Sequence, residues 1–137
     1  AMLQLLCERA GRVIVAPPVL KGEDLESGWN RRLAVLAALI EEGTADCETA
    51  QFLDLRAAFA RELAGQHRSD HLPRNPLQVP LDALTLRTDA QVDARAAGRG
   101  LHLTLDGVHL NSAGARLVAQ EFGAVIKGLA PRSQLLE

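Results

Sequence analysis

Two short apolar runs with an amphipathic stretch between them constrain the fold of this chain most strongly. The first run, Val13–Ala16, follows Gly11 and ends at a pair of prolines, and the second run is Phe52–Leu55. Runs of this kind are typical of strands that are buried on both faces of a parallel sheet. Between them, the spacing of apolar residues over 29–42 predicts a helix that ends at Gly43.

A strand, a helix and a second strand joined by a crossover of this length imply parallel pairing. The sequence therefore predicts an α/β fold of the flavodoxin-like kind, with helices flanking a doubly wound parallel sheet. Further helices are expected at 2–10, 56–64 and 112–127. Residues 66–103 contain three prolines and no clear strand, so we expect an insertion or an irregular loop region there, with one helix at 89–97.

Composition excludes several classes of protein. A length of 137 residues with 47% apolar residues indicates one folded domain with a single core. The net charge of −2 and the 3% of aromatic residues supply neither a basic face nor stacking platforms, so no nucleic-acid partner is expected. No apolar run has the length of a membrane span, and no cofactor or metal is expected. Cys7 and Cys47 do not make a disulfide framework and are expected to be free structural thiols.

The chemistry that the sequence suggests is concentrated in one short turn. Asp106 precedes His109 by three residues, on a glycine-containing turn just before the final helix. A carboxylate in that position can accept one imidazole N–H and leave the other ring nitrogen free to take a proton. The alternative is a turn aspartate beside a histidine that bonds only to the backbone. Asn111 is expected to cap the helix that follows.

This turn resembles the last conserved block of the SGNH (GDSL-type) hydrolases, a superfamily of serine esterases, lipases and acylhydrolases. The residues that carry the resemblance are Asp106, Gly107, His109, Leu110, Asn111 and Gly114. Upstream, 12–18 resembles the family's strand that ends in prolines, and 52–55 resembles its next strand. The resemblance implies that Asp106 and His109 are the catalytic aspartate and histidine, and that the substrate is a small-molecule ester.

The departure from the family pattern is large. In the family, a Gly-Asp-Ser nucleophile block and a Gly-x-Asn block precede the first matched strand, but neither Gly-Asp-Ser nor Gly-x-Asn-Asp occurs in this sequence. We therefore interpret 1–137 as one N-terminally incomplete domain, inactive alone, that requires self-association or an N-terminal companion fragment. If Met2 is the native start, the compartment is the cytoplasm, whereas a missing N-terminal segment leaves room for a secretion signal.

Four residues are candidates for lining the site. Pro17 and Pro18 follow the first predicted strand and could form the wall of a substrate pocket. Gly107 lies within the turn itself. His102 precedes the turn closely, where a position at the mouth of the site and a plain surface position are equally compatible with the sequence.

The remaining candidates have simpler interpretations. Asp54 is expected to cap a helix rather than to accept a phosphoryl group. His67 and His71 have the i, i+4 spacing of a zinc site on a helix, but Pro73 follows closely and a solvated loop is favoured. For the whole chain, the rival to a hydrolase is a non-catalytic, degenerate α/β module with a binding or structural role.

Overall fold

The computed structural model describes residues 2–67, 69, 71–73, 75 and 77–129. Helices take up 56% of these residues. In chain order the elements are α1 (Met2–Arg9), β1 (Val13–Val15), α2 (Gly28–Ala45), β2 (Ala50–Phe52), α3 (Leu55–Glu62), α4 (Gln78–Thr85), α5 (Asp89–Gly98) and α6 (Ser112–Leu129).

The predicted doubly wound sheet is wrong. Within the described residues the sheet has two strands, which pair in parallel with Val13 beside Ala50 and Val15 beside Phe52. The parallel pairing inferred from the crossover is thus confirmed. After β2, however, the described chain folds into helices and turns, and Thr104 and Leu110 form only an isolated antiparallel bridge. The two apolar runs supply two strands, and no other run in the described ranges extends the sheet.

The second strand also ends earlier than its apolar pattern predicts. β2 stops at Phe52, and Leu55 is already the first residue of α3. The Asp54 carboxylate accepts the N–H of Ala57 at 2.9 Å, which is the N-cap interaction of that helix. Because an N-cap satisfies donors that would otherwise have no partner, it favours starting the helix here over extending the strand. The predicted capping role of Asp54 is confirmed.

The hydrophobic core lies between α3, α6 and the segment that leads to α6. Phe59 is fully buried, and Leu63 and Leu103 are buried against it. The partly buried residues packed around them are Val19, Leu20, Leu25, Ala113, Leu117 and Val118. Burial of a side chain as large as phenylalanine stabilises a fold by roughly 1.5–3 kcal/mol. The core therefore ties the loop after β1 to α3 and α6.

The two cysteines are joined, which corrects the prediction of free thiols. Cys7 and Cys47 form a disulfide with their Cα atoms 6.4 Å apart. The fold brings α1 against the turn before β2, where the Thr49 hydroxyl donates to the carbonyl of Cys7 at 3.3 Å. The cysteines are 40 positions apart and show no local sign of this proximity, so the sequence alone favours the wrong state.

The segment 66–103 contains α4 and α5 in its described part. The helix predicted at 89–97 is confirmed as α5, and its start carries a capping box in which Thr88 and Gln91 exchange hydrogen bonds. Asp82 of α4 pairs with Arg95 of α5 at 3.1 Å and with Arg99, the C-cap residue of α5, at 2.7 Å, so ion pairs link α4 to the end of α5. Among the described residues, no helix combines the length and apolar character needed to cross a membrane.

Candidate functional site

Asp106 and His109 are in direct contact, as their spacing predicts. Oδ2 of Asp106 lies 2.8 Å from Nδ1 of His109. The other carboxylate oxygen accepts the backbone N–H of Val108 at 3.0 Å and that of His109 at 2.8 Å. Asp106 is 1% exposed, whereas the His109 side chain is 60% exposed. One ring nitrogen is therefore held by a buried carboxylate while the rest of the imidazole faces solvent.

The electrostatics of the pair favour an ionised aspartate. Burial alone raises the pKa of Asp106, but the backbone N–H and the ring of His109 lower it, and the N–H of Val108 lowers it further. The net result is a pKa below the ordinary value of 3.8. A carboxylate that is ionised near neutral pH holds a proton on Nδ1 of His109, which leaves Nε2 as the proton acceptor.

Gly107 is required by the shape of the turn. Its φ is +85°, and a Cβ at this position would lie 2.4 Å from the carbonyl oxygen of His71 and 2.9 Å from Leu72. The Gly107 carbonyl also accepts the N–H of Gly22 at 2.7 Å. The turn is thus packed against the loop that follows β1 and against 71–72. Any side chain at 107 would push the turn away from them.

Glu23, in the loop after β1, carries a buried carboxylate that holds the segment leading into the turn. One oxygen accepts the N–H of Leu103 at 2.8 Å and both the N–H and the hydroxyl of Thr104 at 2.7 Å. The other oxygen accepts the N–H of His102 at 2.7 Å. Sequence reasoning missed Glu23, because an acidic residue in a polar loop is usually solvated and no pattern marks this one as buried.

Asn30 fixes the loop that presents Glu23. It is fully buried at the start of α2, and its side-chain oxygen accepts the N–H of Lys21 at 2.9 Å. Its amide group donates to the carbonyls of Gly22 at 3.1 Å and Asp24 at 2.7 Å. Arg56 of α3 donates to the Asn30 carbonyl at 3.0 Å, which joins this loop to the core helices.

The residues that follow Asp106 and His109 fix the start of the final helix. The Asn111 side chain accepts the N–H of Gly114 at 3.0 Å and donates to the carbonyl of His102 at 2.9 Å, so its predicted capping role is confirmed. A Cβ at Gly114 would lie 2.1 Å from the carbonyl oxygen of Leu103. The first turn of α6 therefore lies directly on the segment that Glu23 holds.

The other predicted lining residues occupy different positions. His102 is partly buried, and its Nε2 has no hydrogen-bond partner among the described residues, as is also true of His71. The backbone N–H of His102 donates to Glu23, and the carbonyl oxygen of His71 lies where a Cβ on Gly107 would stand. Pro17 is buried and Pro18 is exposed. That these prolines form a pocket wall stays a prediction.

The serines that the structure describes are engaged elsewhere. Ser27 caps α2, and Ser69 donates to a backbone carbonyl at 3.3 Å. Ser112 follows the dyad at the start of α6, and no described serine hydroxyl is hydrogen-bonded to His109. Ser133 lies outside the described residues. Taken together, the described part of the site can orient a base and accept a proton.

The i, i+4 histidine pair does not lie on a helix. His67 and His71 fall between α3 and α4, and the intervening Arg68 and Asp70 lie outside the described residues. In the parts of the chain that are described, no group of three histidine, cysteine or acidic side chains is placed to hold a metal ion.

This chain matches no protein-family model, and neither a curated protein nor a solved structure is significantly similar to it. The resemblance to the SGNH hydrolases therefore rests on the residues of 106–114, on the two upstream runs, and on the contact between Asp106 and His109.

Proposed function

We propose that this chain contributes the aspartate–histidine pair of a serine ester hydrolase of the SGNH type. In this proposal Asp106 orients the imidazole and His109 transfers protons. The observation that carries the proposal is the 2.8 Å contact between Nδ1 of His109 and a carboxylate that is 1% exposed. A ring that is fixed on one side and open on the other is the arrangement that a general base requires.

The proposed reaction proceeds through an acyl intermediate on a serine. As the serine oxygen attacks the carbonyl carbon of a small ester, Nε2 of His109 takes the hydroxyl proton. The same nitrogen returns that proton to the alcohol oxygen as the carbon–oxygen bond breaks, and water then repeats the sequence to release the acid. Asp106 stabilises the imidazolium that forms in each step. The serine and the oxyanion donors come from polypeptide outside this sequence.

A partner that carries those groups is supported by the surface of the sheet. A groove of about 450 Å³ runs along β1 and is lined by Leu3 and Leu6 of α1 and Ile40 of α2. Met2 and Leu39 nearby in sequence are 78% and 60% exposed. A two-stranded sheet is marginal in water, and exposed apolar surface of this kind marks an interaction site. We propose that an N-terminal companion segment binds here, with self-association of the chain as the alternative.

Ester hydrolysis by the native protein and by the 137-residue chain tests the proposal. With p-nitrophenyl acetate as substrate, we expect hydrolysis by the native protein to fall about a thousandfold or more in His109→Ala. The chain alone should hydrolyse the ester at the background rate, because no serine among the described residues is hydrogen-bonded to His109. His67→Ala is the matched control, since it removes an exposed histidine from a loop outside the turn.

The outcomes separate the alternatives. Hydrolysis by the native protein that His109→Ala leaves unchanged contradicts the proposal. Hydrolysis by the chain alone that depends on His109 retains the hydrolase but places the nucleophile within these residues. A native protein that hydrolyses no ester supports the non-catalytic module. Light scattering on the isolated chain tests whether the groove along β1 binds a partner. A stable monomer in dilute buffer contradicts the proposal that a companion segment or a second copy binds there.

A further inference from the structure

We propose that Glu23 is a positioning residue for His109, acting through the backbone of 102–104 and the glycine of the turn. The inference rests on the proposed function only in assigning His109 a catalytic task. The positioning itself depends on contacts between the loop after β1 and the segment that leads into the turn. These contacts join residues 79 to 81 positions apart in the sequence.

The Glu23 carboxylate accepts hydrogen bonds from several donors of the segment that precedes Asp106 and His109. Glu23 is 2% exposed, and its two oxygens accept three consecutive backbone N–H groups and one hydroxyl, all within 2.8 Å. No described cation is paired with it. A buried carboxylate without a cation persists only where donors replace its water, so the charge and the backbone of 102–104 stabilise each other.

The hydroxyl of Thr104 connects the Glu23 carboxylate to the turn. It donates to Glu23 at 2.7 Å and accepts the N–H of Gly107 at 3.2 Å. On its other side, the Gly107 carbonyl accepts the N–H of Gly22. The peptide groups that flank the turn glycine are thus anchored at both ends to the loop that carries Glu23. Asp106 lies immediately before this glycine, so the direction of its carboxylate follows from the anchoring.

A neutral side chain of the same shape cannot replace Glu23. Both oxygens of Glu23 accept hydrogen bonds, whereas glutamine has an NH2 group in place of one of them. In Glu23→Gln this NH2 group therefore faces an N–H group of 102–104, and neither donor has an acceptor. The predicted consequence is local. The segment 102–104 shifts, Gly107 loses its anchor, and the hydrogen bonds from Val108 and His109 to Asp106 open more often.

Nuclear magnetic resonance on the isotope-labelled 137-residue chain tests this without any activity. The readouts are the amide exchange rates of Val108 and His109 and the signal of the Nδ1 proton of His109. In Glu23→Gln we expect both amides to exchange about tenfold faster relative to those of α6, and the Nδ1 signal to be lost. The matched control is Glu26→Gln, which removes the same charge from an exposed position of the same loop.

A folded Glu23→Gln chain with unchanged exchange at 108 and 109 and an unchanged Nδ1 signal overturns the proposal. If Glu23→Gln does not fold, Thr104→Val decides, because it retains Glu23 and removes only the hydroxyl between it and Gly107. We expect the same two local changes there, with Thr104→Ser restoring the wild-type pattern. Thr104→Val that leaves both readouts unchanged, or that abolishes the fold, overturns the proposal. Absence of ester hydrolysis alters none of these readouts.

Discussion

The two ends of the described structure are held together by different means. Around the site, Phe59, Leu103, Glu23 and Asp106 are each at most 2% exposed, and Leu103 is contacted by Phe59 and Glu23, which are distant from it in the sequence. Around the sheet, α1 has no buried residue, and each residue of β1 is only partly buried. A disulfide rather than a core connects α1 to the turn before β2.

Because of this difference, the geometry of the Asp106–His109 pair does not depend on how many strands the sheet has. The turn at 106–109 is fixed by buried hydrogen bonds and by the core between α3 and α6, none of which requires further strands. The sheet, in contrast, has apolar surface that its own residues do not cover. The site can therefore be ordered whether or not a partner covers the sheet.

The largest effect is expected from removing the centre of the core. Phe59→Ala should lower the free energy of unfolding by about 4 kcal/mol, since it leaves a cavity where the side chain is 0% exposed. Leu39→Ala in α2 is the matched control, and at 60% exposure it should change the free energy by about 0.5 kcal/mol or less. Urea unfolding followed by circular dichroism measures both. A large cost for Leu39→Ala would show that this face of α2 is covered in solution.

Breaking the disulfide should destabilise the sheet end by a slightly smaller amount. The Cys7→Ser, Cys47→Ser double variant should lower the free energy of unfolding by about 3 kcal/mol, because the cross-link closes a long loop in the unfolded chain. The same loss should appear when the wild type is unfolded with a reductant, while the double variant does not respond to it. Two titratable thiols in the oxidised protein would contradict this and restore the prediction of free cysteines.

The turn glycine permits a test at the site end. Gly107→Ala should lower the free energy of unfolding by about 2–3 kcal/mol, because it combines a positive φ with a Cβ placed 2.4 Å from a carbonyl oxygen. Gly65→Ala separates the two causes, since Gly65 has a φ of +81° but open space around its Cβ position, and should cost about 1 kcal/mol. Equal costs at the two glycines would mean that the segment carrying the His71 carbonyl yields to the new side chain.

The smallest effect concerns pH. Because the pKa of Asp106 is lower in the folded state than its ordinary value of 3.8, its stabilising contribution is present above that value and is lost as the pH falls through the folded-state pKa. The stability difference between wild type and Asp106→Asn should therefore shrink as urea unfolding is moved from about pH 6 to about pH 3. Asp46→Asn, at an exposed position, serves as the control. A difference that grows in acid would contradict the assigned direction.

Local elements of this protein could be predicted because their causes are local. The helices α1, α2, α3, α5 and α6 follow from apolar spacing and from caps such as Asp54 and Asn111. The contact between Asp106 and His109 follows from a three-residue separation across a glycine turn. In each case the interacting groups are neighbours along the chain, so the sequence brings them together in any fold that contains the turn or helix.

The tertiary structure alone decided the number of strands, the disulfide and the support of the site. Two apolar runs are compatible with a large sheet, but strand pairing depends on partners elsewhere in the chain, and the described residues supply two strands. Glu23 and Asn30 belong to residue types that are usually exposed. Glu23 is buried because the loop after β1 packs on 102–107, and Asn30 is buried because the same loop folds over its side chain. Contacts between groups 40 to 81 residues apart have no period in the sequence, so only the folded chain reveals which polar residues they bury.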